Sequence, residues 1–198
     1  MSAFRNFVGA VKDAYNEGRS EEWLLFRASD AVGELLQDKS FLKDFGLPIA
    51  GEYQTYLLYK DPERGFIVTA STSRDKLYRP PHDHGPTWAV YGVYSGQIQM
   101  TRYKRVDDRR VEGYAELDQV ADFAARGGMV DAIMPGGIHE LRYGGDAGIS
   151  VIVRSSDPAE FLRGRYNPAE KKVEMFRGVS TGGRHEIVDL REKAERIF

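Results

Sequence analysis

The sequence contains 198 residues, of which 41% are hydrophobic and 29% charged, a composition typical of a globular protein with one hydrophobic core. Lys and Arg total 28 and Asp and Glu total 30, so a formal net charge of −2 argues against nucleic acid or a membrane surface as a partner. The absence of cysteine excludes disulfides, thiolate metal sites and cysteine nucleophiles.

The first part of the chain, residues 1–48, is predicted to be helical. Apolar side chains recur at helical spacing over residues 4–15, and Gly18 ends this first helix. A second helix is predicted over Glu21–Ala28. A third is predicted to begin after Ser29 or Asp30, because both residue types are common N-caps.

The residue composition and patterning of the sequence change over residues 50–180. Short β-branched and aromatic segments alternate there with Gly, Pro, Asp and Asn, which is typical of an antiparallel sandwich or barrel. The predicted strands are Tyr53–Tyr59, Gly65–Ser71, Thr87–Tyr94, Gln97–Val106, Met129–Pro135, Glu140–Tyr143 and Ile149–Arg154. We expect a short helix or a loop over Asp118–Arg126, a further hairpin over Arg165–Val179 and a short C-terminal helix within the tail 185–198.

Two of the four histidines stand two residues apart, in the run Arg79-Pro80-Pro81-His82-Asp83-His84-Gly85-Pro86. On an extended backbone such residues point to the same side, so His82 and His84 can bind one ion while Asp83 points away. Imidazole is a common ligand of Fe, Zn, Ni and Cu. The alternative is that both are surface histidines in a proline-rich turn.

A third histidine, His139, follows a turn, Met134-Pro135-Gly136-Gly137, that leads into a strand. The two separated motifs together, over about residues 50–155, resemble those of the cupin superfamily. This resemblance implies a mainly β fold, the double-stranded β-helix or cupin barrel, with helices added at both termini. We predict a single domain over 1–198, in which the barrel takes up 50–180.

In the cupin motif an acidic ligand usually follows the histidine pair, and Ala89 occupies its place here. Three neutral imidazoles leave the charge of a divalent ion uncompensated, which favours an anionic ligand from the substrate. Among cupins, a three-histidine set is most similar to that of the cysteine dioxygenase family of thiol dioxygenases. The helices before the barrel and the spacing between His84 and His139 also resemble that family.

The sequence departs from the thiol dioxygenase pattern at several positions. The Ser-x-His-x-Tyr stretch of that family falls at Ser150–Arg154, where Ile152 replaces the histidine and Arg154 the tyrosine. The arginine that binds the substrate carboxylate has no match near Thr55 or Tyr56. The resemblance therefore implies the fold and metal site more directly than L-cysteine as substrate.

Strand alternation suggests which side chains face the substrate. If His84 and Ala89 face inward, so does Tyr91, while Trp88 faces the outer helices. Tyr143 shares a face with His139, and Tyr91 or Tyr143 is a candidate proton or hydrogen-bond donor. Arg154 is a candidate for binding a carboxylate. The alternative is that both tyrosines are core residues and that Arg154 is a solvated strand end.

The leading hypothesis is a mononuclear non-haem Fe(II) dioxygenase that oxidises a small thiol carboxylate to a sulfinate with O2. Its metal ligands are His82, His84 and His139, with Zn, Ni or Mn as alternatives to iron. Two other hypotheses are another metal-dependent cupin enzyme, such as a ring-cleaving dioxygenase, lyase or isomerase, and a non-catalytic cupin that binds a metal or small ligand. We find no signal peptide and expect a cytoplasmic protein, with a homodimer as one option. The sequence leaves open whether His185 or the tail covers the site.

Overall fold

The computed structural model describes residues 2–38, 40–47, 53–73, 77–144, 148–177 and 187–197. The helices are α1 (Ala3–Asn16), α2 (Glu21–Gln37), α3 (Phe41–Phe45) and α4 (Arg191–Ile197). The strands are β1 (Gln54–Lys60), β2 (Ile67–Ser73), β3 (Tyr78–His82), β4 (Ala89–Ser95), β5 (Gln97–Arg105), β6 (Leu117–Arg126), β7 (Val130–Ile133), β8 (Ile138–Tyr143), β9 (Gly148–Arg154), β10 (Arg163–Asn167), β11 (Lys172–Phe176) and β12 (Val188–Asp189). Within these ranges, no helix has the length and apolar character needed to cross a membrane.

The strands form two six-stranded sheets, in the orders β12-β1-β2-β9-β4-β7 and β11-β10-β3-β8-β5-β6. Strand β12 runs parallel to β1, and the other neighbours pair antiparallel. The eight strands from β2 to β9 divide into the two groups β2-β9-β4-β7 and β3-β8-β5-β6, which is the jelly-roll order. The predicted fold class is confirmed: a double-stranded β-helix with N-terminal helices and a short C-terminal helix.

The first sheet is buried on both faces. Its outer face packs against the N-terminal helices, and its inner face lines the barrel. Along β4, Val90 contacts the helical cluster while Ala89 and Tyr91 belong to the inner cluster, as the alternation of a strand requires. Trp88, 1% exposed, lies in the helical cluster as predicted. Every residue of β2 is buried for the same reason.

The predicted break between a second and a third helix at Ser29 or Asp30 is wrong. Helix α2 begins after Ser20, whose Oγ accepts a hydrogen bond from the backbone N–H of Trp23 at 3.3 Å, and continues to Gln37. The Ser29 hydroxyl donates to the carbonyl oxygen of Leu25 at 2.7 Å, one helical turn earlier. A serine that bonds back in this way stays inside a helix instead of capping one.

The prediction of a helix or loop at Asp118–Arg126 is also wrong, because Leu117–Arg126 is strand β6. It forms a long hairpin with β5, with Gln97 opposite Arg126 and Arg105 opposite Leu117. Strand β3 was not predicted, because its two prolines have no backbone N–H to donate in hydrogen bonds to a neighbouring strand. Its pairing with β8 is irregular between Arg79 and His82.

Candidate metal centre

The structure brings the three predicted histidines together inside the barrel. His82 is the last residue of β3 and lies directly opposite His139 of β8, and His84 follows two residues later. One ring nitrogen from each residue lies within 4.8 Å of the other two. The Nε2 atoms of His84 and His139 are 3.0 Å apart.

The segment that carries His82 and His84 is attached to β10 through Asp83, which is 7% exposed. Its Oδ1 accepts a hydrogen bond from the backbone N–H of Gly85 at 2.7 Å. Its Oδ2 accepts the N–H of Gly164 at 3.0 Å and the hydroxyl of Tyr166 at 2.7 Å. Gly85 has a φ of 63°, and an added Cβ would lie 2.9 Å from a backbone oxygen. The aspartate therefore points away from the cluster, as predicted, and holds the turn.

The donor set suits a divalent transition metal. His82 Nδ1 lies 2.8 Å from the carbonyl oxygen of Pro80, which can only accept, so Nδ1 carries the proton and Nε2 is free to bind. Nδ1 of His84 and of His139 are buried without a hydrogen-bond partner among the described residues. Their Nε2 atoms face each other at 3.0 Å, and two bonds of about 2.1 Å at a right angle would place ligand nitrogens about 3.0 Å apart.

The surroundings keep the histidines neutral. Burial lowers the pKa of His82 to about 4, and the positive charges of Arg163, Arg154 and Arg79 contribute. Burial also lowers the pKa of His84 and of His139 well below the usual value. A metal ion binding near neutral pH therefore meets lone pairs and displaces no imidazolium proton.

A cavity of about 160 Å³ adjoins the cluster. Among the residues that the structure describes, four arginines and one aspartate, Asp157, are the charged residues of its wall. The arginines are Arg79, Arg154, Arg163 and Arg165. The wall carries more positive than negative charge, so the cavity favours an anionic ligand.

Both predicted tyrosines line this cavity. The Tyr91 hydroxyl lies 3.1 Å from His84 Nε2 and 3.5 Å from His139 Nε2. Tyr143 packs edge-on against Tyr53 with ring centroids 5.9 Å apart, and burial raises the pKa of its hydroxyl. The Tyr143 hydroxyl therefore keeps its proton and is available as a donor at neutral pH.

Arg154 also reaches the cavity and is not a solvated strand end. Its Nη1 donates to the Thr69 hydroxyl at 3.1 Å. Its guanidinium carbon lies 6.0 Å from the centroid of the Tyr91 ring. The side chain is therefore oriented toward the cavity by β2 and β4.

The sequence reasoning missed several lining residues, among them Tyr53, Arg79 and Arg163. Arg79 precedes His82 by three residues, so its proximity to the histidine pair is visible in the sequence. Arg163 enters the wall because β10 pairs with β3, and no local pattern reveals a pairing between segments about 80 residues apart. Arg102 is half-buried and pairs with Asp131.

His185 and its neighbours, named above as a cover for the site, lie outside the described residues. The described chain resumes at Ile187, which lines the cavity. The next residue, Val188, pairs with Tyr56 of β1. The C-terminal part of the chain therefore returns to the barrel beside the cavity.

No family model and no curated protein matches the sequence. Among solved structures, the chain is similar to the cupin domain of Schizosaccharomyces pombe Cnp3, with 14% identity over 56% of this chain and 72% of that one (TM-score 0.41). It is also similar to oxalate oxidase in complex with glycolate, with 16% identity over 57% and 56% of the two chains (TM-score 0.42). A Klebsiella pneumoniae protein with a double-stranded β-helix domain matches at 15% identity over 57% and 80% (TM-score 0.41).

Proposed function

We propose that this chain is a mononuclear non-haem Fe(II) dioxygenase that converts a small thiol carboxylate into a sulfinate. The observation that supports this most is a cluster of three histidines, His82, His84 and His139, which no carboxylate joins among the described residues and which lies beside a cavity rich in guanidinium groups. In the overall reaction, R–SH and O2 give R–SO2H, so both oxygen atoms go to sulfur. Fe(II), when bound, supplies the redox chemistry between the thiol and O2.

The histidines hold the ion and leave its charge undiminished, because each binds as a neutral imidazole. Such an ion favours anionic donors, and the thiolate of the substrate is one. Iron is proposed over zinc because the oxidation of a thiol by O2 requires a redox-active ion, and zinc has no redox chemistry.

Arg154 binds the substrate carboxylate in this proposal. A guanidinium presents a planar pair of donors to a carboxylate, and Thr69 already orients this one through its hydrogen bond to Nη1. Arg163, 4% exposed, adds a second buried positive charge. Tyr143 keeps its proton and donates a hydrogen bond to a polar group in the cavity.

The direct test is reconstitution with Fe(II) under anaerobic conditions, followed by measurement of O2 uptake and sulfinate formation. We expect one O2 consumed per thiol with 3-mercaptopropionate or cysteine, and much less with cysteamine, which lacks the carboxylate. His84→Ala is the metal-site control. The absence of uptake with every thiol offered would reject the thiol chemistry.

Substrate binding is tested with Arg154→Gln, which removes the charge. We expect KM for the thiol carboxylate to rise about 10-fold or more while kcat changes less, because the lost interaction is made in the ground state as well. Arg154→Lys should restore part of the affinity. Arg110→Gln, at an 85% exposed side chain, is the matched control. An unchanged KM in Arg154→Gln would contradict the role of this residue.

A second candidate is another metal-dependent reaction, such as ring cleavage, elimination or isomerisation. The observation that favours it is the replacement of the thiol dioxygenase His and Tyr by Ile152 and Arg154, both of which line the cavity. Elemental analysis of protein purified without added metal separates the O2-dependent reactions from elimination and isomerisation, and O2 uptake with thiols separates thiol oxidation from ring cleavage. Zinc or nickel in the purified protein would favour this second candidate, and iron the first.

A further inference from the structure

We propose that the phenolic oxygen of Tyr91 is a fourth protein ligand of the metal held by His82, His84 and His139. The inference deepens the metal-binding part of the proposed function and does not depend on thiol chemistry. Its basis is the position of one buried hydroxyl relative to two imidazole nitrogens.

The backbone places Tyr91 where an anionic ligand is missing. Ala89, the first residue of β4, faces the inside of the barrel but has no donor atom. Tyr91 is two residues further along β4 and faces the same way. Its longer side chain reaches the histidines from the strand that would otherwise carry the acidic ligand.

The distances fit a shared ion. The Tyr91 oxygen is 3.1 Å from His84 Nε2 and 3.5 Å from His139 Nε2, and these two nitrogens are 3.0 Å apart. Ligand atoms bonded at about 2.0–2.2 Å to one ion, with angles between about 90° and 110°, are separated by about 2.8–3.6 Å. All three separations lie in that range, so the three atoms suit adjacent positions around one cation.

The hydrogen bonds of Tyr91 lead to the same conclusion. Among the described residues, the acceptors within reach of its hydroxyl are Nε2 of His84 and of His139. A cation that binds both nitrogens takes both of these lone pairs. The hydroxyl, on a residue that is 2% exposed, then loses both acceptors. Arg154 still donates a hydrogen bond to the phenolic oxygen, but the O–H group becomes a buried donor without an acceptor among the described residues. Such a donor costs about 1–3 kcal/mol, and coordination of the oxygen to the same cation removes that cost.

The charge balance supports coordination as well. Three imidazoles leave the ion with its full charge of +2, and a phenolate lowers the charge of the site by one unit, with one proton released to solvent. Tyr143 lines the same cavity but makes no hydrogen bond to the histidines among the described contacts, so it is the natural control.

The test uses the protein loaded with Fe(III), without any thiol. A phenolate bound to Fe(III) produces a visible charge-transfer band and enhanced phenolate ring modes in the resonance Raman spectrum. We expect wild type and Tyr143→Phe to show both signals and Tyr91→Phe to show neither. We also expect Tyr91→Phe to bind Fe(II) about 10-fold more weakly than wild type, a loss typical of altered metal surroundings.

Colourless Fe(III)-loaded wild type would overturn the proposal, and so would a band that persists in Tyr91→Phe or disappears in Tyr143→Phe. The Raman measurement on wild type answers the question even if Tyr91→Phe does not fold. Because no thiol is present, the result is independent of the proposed reaction. A coloured protein that fails to oxidise thiols would support the ligand and reject the dioxygenase.

Discussion

At the scale of single residues, the metal centre depends on an aspartate that does not touch the metal position. Asp83 accepts three hydrogen bonds, from Gly85, Gly164 and Tyr166, and so attaches the His82–His84 segment to β10. Gly164 has to be glycine here, because an added Cβ would lie 2.7 Å from Asp83 Oδ2. Burial and the nearby carboxylate raise the pKa of Tyr166, which therefore remains a donor.

Asp83→Asn is expected to weaken both the fold and the metal site. The amide places an NH2 group against donors that now bond a carboxylate oxygen, and an unsatisfied buried group costs about 1–3 kcal/mol. Urea unfolding of the metal-free protein measures the first effect, and Fe(II) titration the second. Tyr166→Phe, which removes one donor, should lose less stability. Wild-type stability and metal affinity in Asp83→Asn would contradict the proposed role.

Much of the candidate site could be predicted from residue spacing. The His-x-His pair requires only the alternation of an extended strand, and the structure brings His139 to the same place. The arginine-rich wall could not be predicted in the same way, because Arg163 depends on the pairing of β10 with β3. Tyr91 was selected for its inward direction, but its distance to the imidazole nitrogens required coordinates.

At the scale of elements, local sequence preference failed where tertiary contacts decide the structure. Residues 118–126 contain no strong strand signal, yet β6 forms because β5 offers a complete antiparallel partner. The predicted break in α2 failed for a related reason. The apolar face of α2 continues past Ser29 with Val32, Leu35 and Leu36, and this face packs on the first sheet.

The contact between α2 and β4 is close at Gly92. A Cβ added there would lie 2.5 Å from Val32 Cγ1 and 3.2 Å from Leu36 Cδ1. Gly92→Ala should therefore destabilise the protein by about 1–3 kcal/mol, because overpacking displaces buried side chains. Thermal and urea unfolding measure the loss.

Two further variants make this prediction specific. Gly9→Ala lies in α1 with no atom near the added Cβ, and it should be neutral or stabilising. Val32→Ala removes the methyl group with which the added Cβ of Gly92→Ala would clash. The double variant should therefore lose less stability than the sum of the two single variants. Additive losses would show that the crowding at Val32 is not the cause.

At the scale of the whole molecule, the first sheet lies between two cores, with the helices on one side and the metal centre on the other. Besides packing on the face of the first sheet, the helical layer is attached to the barrel at the turn between β1 and β2. The Nζ atom of Lys12 in α1 lies 3.0 Å from Oδ2 of Asp61, a residue of the turn between β1 and β2. Tyr59 donates to the same oxygen at 2.8 Å, and the N–H groups of Glu63 and Arg64 donate to Oδ1.

This carboxylate should make the stability of the whole molecule depend on pH. Burial by itself would raise the pKa of Asp61, but the hydrogen bonds from Arg64, Lys12 and Tyr59 outweigh it and lower the pKa. A group whose pKa is lower in the folded state stabilises that state above its unfolded pKa of about 3.9. The contribution is then lost as the pH falls through the folded pKa.

Asp61→Asn should accordingly be less stable than wild type at pH 7, by about 1–3 kcal/mol, because its NH2 group faces the ammonium of Lys12 and the hydroxyl of Tyr59. The difference in unfolding free energy between the two proteins should narrow once the pH falls below about 4. Asp30→Asn, at an exposed pair with Arg27, should stay within about 0.5 kcal/mol of wild type throughout. Urea unfolding between pH 3 and pH 7, at about half-unit steps, measures both curves. A difference that stays constant over this range would mean that the ionised carboxylate does not attach α1 to the barrel.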